Sequence, residues 1–188
     1  MDREEIERAY NALIEGKTIL YPTDTVWGLG CDATNEAAVK RIFEIKERQE
    51  SKSLIVLVSD ETMLNRYLKD VPAIAWDLID ATETPLTIVY PEAKGLSSQV
   101  IAEDGSVAIR IVKDEFCIAL IRKLKKPIIS TSANKSGEPA PEKYALISDS
   151  IKKAVDYEVN LPNYHHSKNK PSTIIKLSMN GEFQILRK

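Results

Sequence analysis

Ser106-Val-Ala-Ile-Arg-Ile-Val-Lys-Asp-Glu-Phe-Cys-Ile-Ala-Leu-Ile-Arg-Lys-Leu-Lys-Lys-Pro-Ile-Ile129 carries strand, helix and strand in succession. Ser106 to Val112 is an apolar run of strand length. Alternation puts Ser106, Ala108 and Arg110 on one of its faces and Val107, Ile109 and Ile111 on the other. Asp114 then opens a helix bearing Phe116, Ile118, Leu120 and Ile121, and Pro127-Ile-Ile129 returns to a short strand. The alternation continues on both sides. Upstream, Asp2 to Glu15 reads as an amphipathic helix with Ile6, Tyr10, Leu13 and Ile14 on one side and Gly16 as its stop. Thr18-Ile-Leu-Tyr21 is a buried strand, and Asn35 caps a helix striped by Ala38, Val39, Ile42, Phe43 and Ile45. Leu54-Ile-Val-Leu-Val58 is a continuous apolar strand, with Asp60 placed to cap the next helix. A helix near Ala73 to Ala81 precedes the strand Leu86 to Tyr90. Downstream, Thr173-Ile-Ile-Lys-Leu177 and Phe183-Gln-Ile-Leu186 flank Asn180-Gly181, a hairpin signal. Strands alternating with helices predict an α/β fold, and the terminal hairpin makes its sheet mixed.

A chain of 188 residues with 43% apolar and 29% charged side chains has the size and composition of one globular domain, expected over residues 1–188. Its formal charge of −2, from 26 basic and 28 acidic residues, argues against a grip on nucleic acid dominated by phosphates. Cys31 and Cys117 are far apart and belong to no Cys-x-x-Cys pair, as expected in a reducing compartment. The acidic, helical start is no signal peptide, and no apolar run reaches membrane-spanning length. A cytoplasmic location without membrane contact is expected.

Three polar segments lie beside glycines and strand ends: Tyr21-Pro-Thr-Asp-Thr-Val-Trp-Gly28, Lys46-Glu-Arg48, and Ser130-Thr-Ser-Ala-Asn-Lys-Ser-Gly137. Polar groups at the rim of a packed sheet form binding sites, here for something anionic. Lys46 and Arg48 at a helix end are either partners of the helix dipole or, with Lys52, a cationic cluster for a polyphosphate. Arg110, within an apolar strand, needs an anion: an edge-strand salt bridge or the carboxylate of a ligand. The hydroxyls and amide from Ser130 to Ser136 exceed what a plain turn needs, and loops at strand ends are where open α/β sheets bind ligands. No Gly-x-x-x-x-Gly-Lys-Ser/Thr and no Gly-x-Gly-x-x-Gly is present, so a nucleotide would be held in another way. His165 and His166 alone make no zinc site. Arg122-Lys-Leu-Lys-Lys126 reads as a solvated helix end, with a weak contact to RNA as the other reading.

In series, Tyr21-Pro-Thr-Asp-Thr-Val-Trp-Gly-Leu-Gly30, Lys46-x-Arg48, Ser106-Val-Ala-Ile-Arg110, Ser130-Thr-Ser-Ala-Asn134-x-Ser-Gly137 and Ser172-Thr173 resemble the YrdC-like family, the threonylcarbamoyl-AMP synthases, in its short form. The resemblance implies an open, twisted mixed sheet with flanking helices and a concave, positively charged cavity. It also implies the synthesis of threonylcarbamoyl-AMP and pyrophosphate from L-threonine, bicarbonate or CO2, and ATP, for threonylcarbamoyladenosine at position 37 of tRNA. By motif position, Thr25, Arg110 and Ser130 would hold threonine. Arg48, Lys52, Ser106, Ser132, Asn134 and Arg187 would hold ATP. Lys46 and Arg48 are the expected catalytic cations, with Mg2+ carried on the ATP phosphates and no metal ligand assigned. The partners implied are proteins that transfer the threonylcarbamoyl group onward. Three positions depart from the family pattern. Ser53 replaces a usual proline, Leu57 a histidine that some relatives place near threonine, and Ala140 a common serine near the nucleotide. A different class of reading is a non-catalytic module that holds double-stranded RNA or tRNA in the same cavity. Residues 160–170 are polar and read as a linker that could close over the nucleotide.

Overall fold

The computed structural model describes residues 2–47, 54–161, 164 and 170–188. Its strands are β1 (Ile19–Tyr21), β2 (Gly28–Gly30), β3 (Ile55–Val58), β4 (Leu86–Tyr90), β5 (Val107–Ile111), β6 (Ile128–Ser132), β7 (Tyr157–Glu158), β8 (Thr173–Leu177) and β9 (Phe183–Arg187). They form one nine-stranded sheet in the order β7-β1-β2-β6-β3-β5-β4-β8-β9. The sheet is mixed, as the alternation and the hairpin predict. β3 and β5 run parallel while β6 lies antiparallel to β3, and β8 and β9 form the expected antiparallel hairpin.

The helices are α1 (Arg3–Ile14), α2 (Glu36–Lys46), α3 (Glu61–Arg66), α4 (Ile74–Asp80), α5 (Glu115–Leu124) and α6 (Asp149–Ala154). Asp2, Asn35, Asp60 and Asp114 each accept a backbone N–H from the first turn of α1, α2, α3 and α5, caps worth about 1 kcal/mol apiece. Gly16 ends α1 with φ +74°. Its N–H reaches the carbonyl of Leu13, and that of Lys17 reaches Ala12. This is the paired closure that favours glycine just past a helix.

Pleating gives the centre of the sheet two unlike faces. Ile175, Ile88, Ile109, Val56 and Ile129 stand side by side across five strands, and all are buried in the hydrophobic core. Withdrawing each from water is worth roughly 1.5–3 kcal/mol. The next row, Lys176, Val89, Ala108, Ile55 and Ser130, is in register across the same strands. Its side chains must point the other way. The expected split of the Ser106–Val112 strand holds, with Val107 and Ile109 in the core.

α6 and β7 were not expected from the sequence, and two strands beside the cavity differ from its reading. β6 continues through Ser132, so Ser130 and Ser132 are strand residues and not loop residues. Leu29 and Gly28 supply the extra partners by pairing with Thr131 and Ser132. Gly28-Leu-Gly30, assigned to no element from the sequence, is strand β2, where Gly30 admits a close neighbour. A Cβ on Gly30 would fall 2.5 Å from the Ile129 carbonyl and 2.6 Å from the Tyr21 ring. That ring is fully buried, and its hydroxyl donates to the same carbonyl at 2.8 Å.

Candidate active site

The polar face of the sheet forms the floor of a cavity of about 1100 Å³. Ser106, Ala108 and Arg110 of the β5 strand and its lead-in, Ile55 of β3, Ser130 and Ser132 of β6, and Ile174 and Lys176 of β8 all line it. One wall is the segment 98–104, another is formed by Pro171, Ser172, Leu186 and Arg187, and Thr25 stands at the end. The charged lining residues among those described are Arg110, Lys176 and Arg187 against Glu103 and Asp104.

Arg110 is the most constrained of these groups. Its side chain is only 2% exposed, and its Nη2 lies 3.0 Å from Asp24 Oδ1. The approach is out of line for a hydrogen bond, so both Asp24 Oδ1 and Arg110 Nε are buried without a hydrogen-bond partner. Of the two readings of Arg110, salt bridge and ligand contact, the geometry realises the first, on an interior strand and not the expected edge, and leaves donor capacity for the second. Nη2 also donates to Thr25 Oγ1 at 3.3 Å.

Proton bookkeeping fixes what Thr25 offers. The Thr23 hydroxyl donates to the Val26 carbonyl at 2.8 Å and lies 2.9 Å from the Thr25 hydroxyl. With the Thr23 proton spent, the Thr25 hydroxyl donates to Thr23 and turns its lone pairs towards Arg110 and the cavity. Thr25 therefore presents an acceptor, matched to an ammonium or hydroxyl of a ligand.

Arg187 approaches from β9. Its Nε and Nη2 donate to the Ser172 carbonyl at 3.0 and 2.8 Å, and the Ser172 hydroxyl lies 2.7 Å from that of Thr87. Partial burial, together with the charge of Arg110, lowers the pKa of Arg187. Two guanidinium groups thus act on one space, an arrangement that an anion between them relieves. On the wall, Asp104 accepts from the Ser106 hydroxyl and amide and from Lys176 Nζ. The Lys176 and Ser106 hydrogen bonds hold its carboxyl well below the usual range.

Lys46 and Asn134 do not line the cavity with the other expected residues. Lys46 is 2% exposed, and its ammonium donates to the carbonyls of Ser132 and Asn134 at 2.6 and 2.7 Å. Its own carbonyl accepts from the Ser136 amide. The expected phosphate-facing cation is instead turned inwards, because strand β6 ends with carbonyls that need donors. The Asn134 amide nitrogen donates to the carbonyls of Lys135 and Glu138. Arg48, Lys52, Ser53, His165 and His166 lie outside the described residues. Leu57 stands beside Arg110 in register and is buried, while Ala140 lines the cavity.

The wall at 98–104 was not anticipated from the sequence. Glu36 fastens it by accepting from the Ser97 hydroxyl and the Ser98 amide, each at 2.7 Å. An acidic residue opening a helix is the only sequence signal of that contact, and it reads equally as a dipole partner. Among the described residues no group of three or more His, Cys, Asp and Glu could hold a metal ion. None of the described helices is long and apolar enough to cross a membrane.

A profile of the Sua5/YciO/YrdC family, described as "Telomere recombination", matches residues 11–188. The chain belongs to this family. Over 184 residues, 96% of this family member, it is 33% identical to a protein named threonylcarbamoyl-AMP synthase from Pseudoalteromonas translucida (strain TAC 125), covering 97% of that protein. It is 40% identical over 127 residues to a protein of the same name from Pseudomonas aeruginosa (strain UCBPP-PA14), 67% of this chain and 68% of that one. P. abyssi Sua5 complexed with L-threonine superposes with a TM-score of 0.82 at 29% identity, over 94% of this chain and 52% of that one. E. coli YciO, at 22% identity and a TM-score of 0.82 over 100% of this chain and 90% of its own, shares the fold. This Sua5/YciO/YrdC chain thus spans about half of the P. abyssi Sua5 chain and nearly all of the Pseudoalteromonas relative.

Proposed function

We propose that the chain synthesises threonylcarbamoyl-AMP from L-threonine, CO2 or bicarbonate, and ATP, releasing pyrophosphate, and so supplies the group placed on adenosine 37 of tRNA. The carrying observation is the buried Arg110, whose Nε has no hydrogen-bond partner, beside the acceptor face of Thr25 on the cavity floor. A fork of donors next to an acceptor fits an amino acid, carboxylate to arginine and amine to threonine hydroxyl. Ser130, also on the floor, completes this subsite. That a related Sua5 has been solved with L-threonine supports the same ligand here.

ATP is assigned to the rest of the cavity, on Ser106, Ser132 and Arg187, with Arg48 and Lys52, outside the described residues, as the proposed cations for its phosphates. The amine of threonine attacks CO2 to give a carbamate and releases a proton. A carbamate oxygen then bonds to the α-phosphorus as the bond to pyrophosphate breaks. Positioning and charge neutralisation carry such a transfer, with no protein nucleophile required. Mg2+ would be carried by the ATP phosphates, supplying charge neutralisation there. The catalytic role of Lys46 is exerted through the Ser132 and Asn134 carbonyls that it holds, with Arg48 as the direct cation.

The 188 residues act as one domain in the cytoplasm, and the adenylate passes to a transferase. A weak tRNA contact through the basic run at 122–126 would have to compete with internal anions. Arg122, Lys123 and Lys126 already lie against Asp60, Glu7 and Asp32, which disfavours that contact. The test is incubation with ATP, bicarbonate and labelled threonine. Threonine-dependent pyrophosphate and a threonylcarbamoyl-adenylate are expected. Release of pyrophosphate without any need for threonine would sink the proposal.

A further inference from the structure

Tyr164 stands outside the cavity, yet its hydroxyl reaches the turn that builds the floor. The phenol oxygen lies 2.8 Å from the Thr23 carbonyl and 2.7 Å from Asp114 Oδ2. A phenol has one proton, so the two acceptors share it. Burial, and then the hydrogen bond to Asp114, push the phenol pKa up, and the group stays protonated throughout the working range.

Both acceptors are themselves held in place. Asp114 is fixed, because its other oxygen caps α5 through the Cys117 amide at 2.8 Å. Thr23 is fully buried, and its hydroxyl accepts from the Thr25 amide at 3.1 Å while donating to the Val26 carbonyl. From Thr25 the line continues to Arg110. A continuous run of hydrogen bonds therefore joins the start of α5, through Tyr164, Thr23 and Thr25, to the guanidinium on the cavity floor.

We propose that Tyr164 is a positioning residue for the amino-acid subsite, setting the direction in which Thr25 and Arg110 present their acceptor and donors to the substrate. The inference rests on the amino-acid reading of that subsite, but one of its consequences does not. The hydroxyl bonds to Thr23 and Asp114, and the line from Thr23 leads to the amino-acid subsite, so the effect falls on the amino acid. One hydrogen bond of this kind, when lost, changes an equilibrium by roughly three- to tenfold.

The experiment compares wild type with Tyr164→Phe, which keeps the ring and removes only the hydroxyl. KM for threonine should rise about three- to tenfold, with kcat and KM for ATP within about twofold of wild type. Hydrogen exchange at the Thr25 amide should quicken by a similar factor in the ligand-free protein, with the Cys117 amide unchanged. A rise in both KM values together, or unchanged exchange at Thr25, would overturn the proposal. If wild type shows no threonine-dependent turnover, the amino-acid reading fails, and the exchange result still tests the structural link by itself.

Discussion

The ammonium of Lys46 and the carbonyl oxygen of Ser132 lie 2.6 Å apart, joining the last turn of α2 to the end of β6. With the Asn134 carbonyl at 2.7 Å, a buried cation satisfies two backbone acceptors. Lys46→Met should therefore cost stability as well as activity, roughly 1–3 kcal/mol for each carbonyl left without a donor. Urea unfolding checks this. A loss below about 0.5 kcal/mol, the usual range for surface positions, would mean that Lys46 does not hold the strand end.

Arg110→Ala removes the fork assigned to the amino acid and takes from Asp24 its ion-pair partner. The catalytic efficiency for threonine should fall by at least about tenfold, and up to a few hundredfold, as expected for losing a charge-assisted contact. Binding of ATP alone, measured by calorimetry, should change far less. Equal losses for both ligands would show that Arg110 holds the whole cavity and not one subsite.

Gly30→Ala tests the close approach within the sheet. The added methyl would meet the Ile129 carbonyl and the Tyr21 ring below 3 Å. Overpacking of this kind costs about 1–3 kcal/mol, a fall of several degrees in Tm for a chain of this size. A Tm equal to wild type would show that the Tyr21 ring moves aside freely.

Asp104 supplies a pH dependence. Its hydrogen bonds to Lys176 and Ser106 hold its folded pKa below the ordinary aspartate value of 3.8. Its contribution is therefore complete above that value and is lost as the pH falls from there through the lower folded value. The Lys176–Asp104 pair has side chains 42% and 53% exposed, so the effect is small, under about 1 kcal/mol. Wild type should exceed Asp104→Asn in stability near neutrality, and the difference should shrink under acid. A difference that grows as the pH falls would reverse the assignment.

The central strands were legible because they are buried on a fixed period. The alternation of Val107, Ala108, Ile109 and Arg110 foretells both faces of β5. The caps at Asn35, Asp60 and Asp114 were equally plain, since their side chains act within one turn. β2 was not legible, because its two glycines signal a turn locally and owe their place to the Tyr21 ring across the sheet. The cavity floor was readable at Ser106 and Arg110, which share one face of a strand, whereas Ser130, expected in a loop, lines the cavity from β6. The site was misread at Lys46, where charge type alone does not reveal which way a long side chain turns. The wall at 98–104 has no repeating pattern, and its tether to Glu36 depends on contact between distant segments.

The pleat gives this molecule a division of labour. At positions 55, 89 and 108 one side chain lines the cavity, while its neighbours in sequence, 56, 88 and 109, are buried in the core. Exchanges at the former can retune which small molecule is welcomed without loosening the scaffold. Divergent relatives could thus change their chemistry on an unaltered frame.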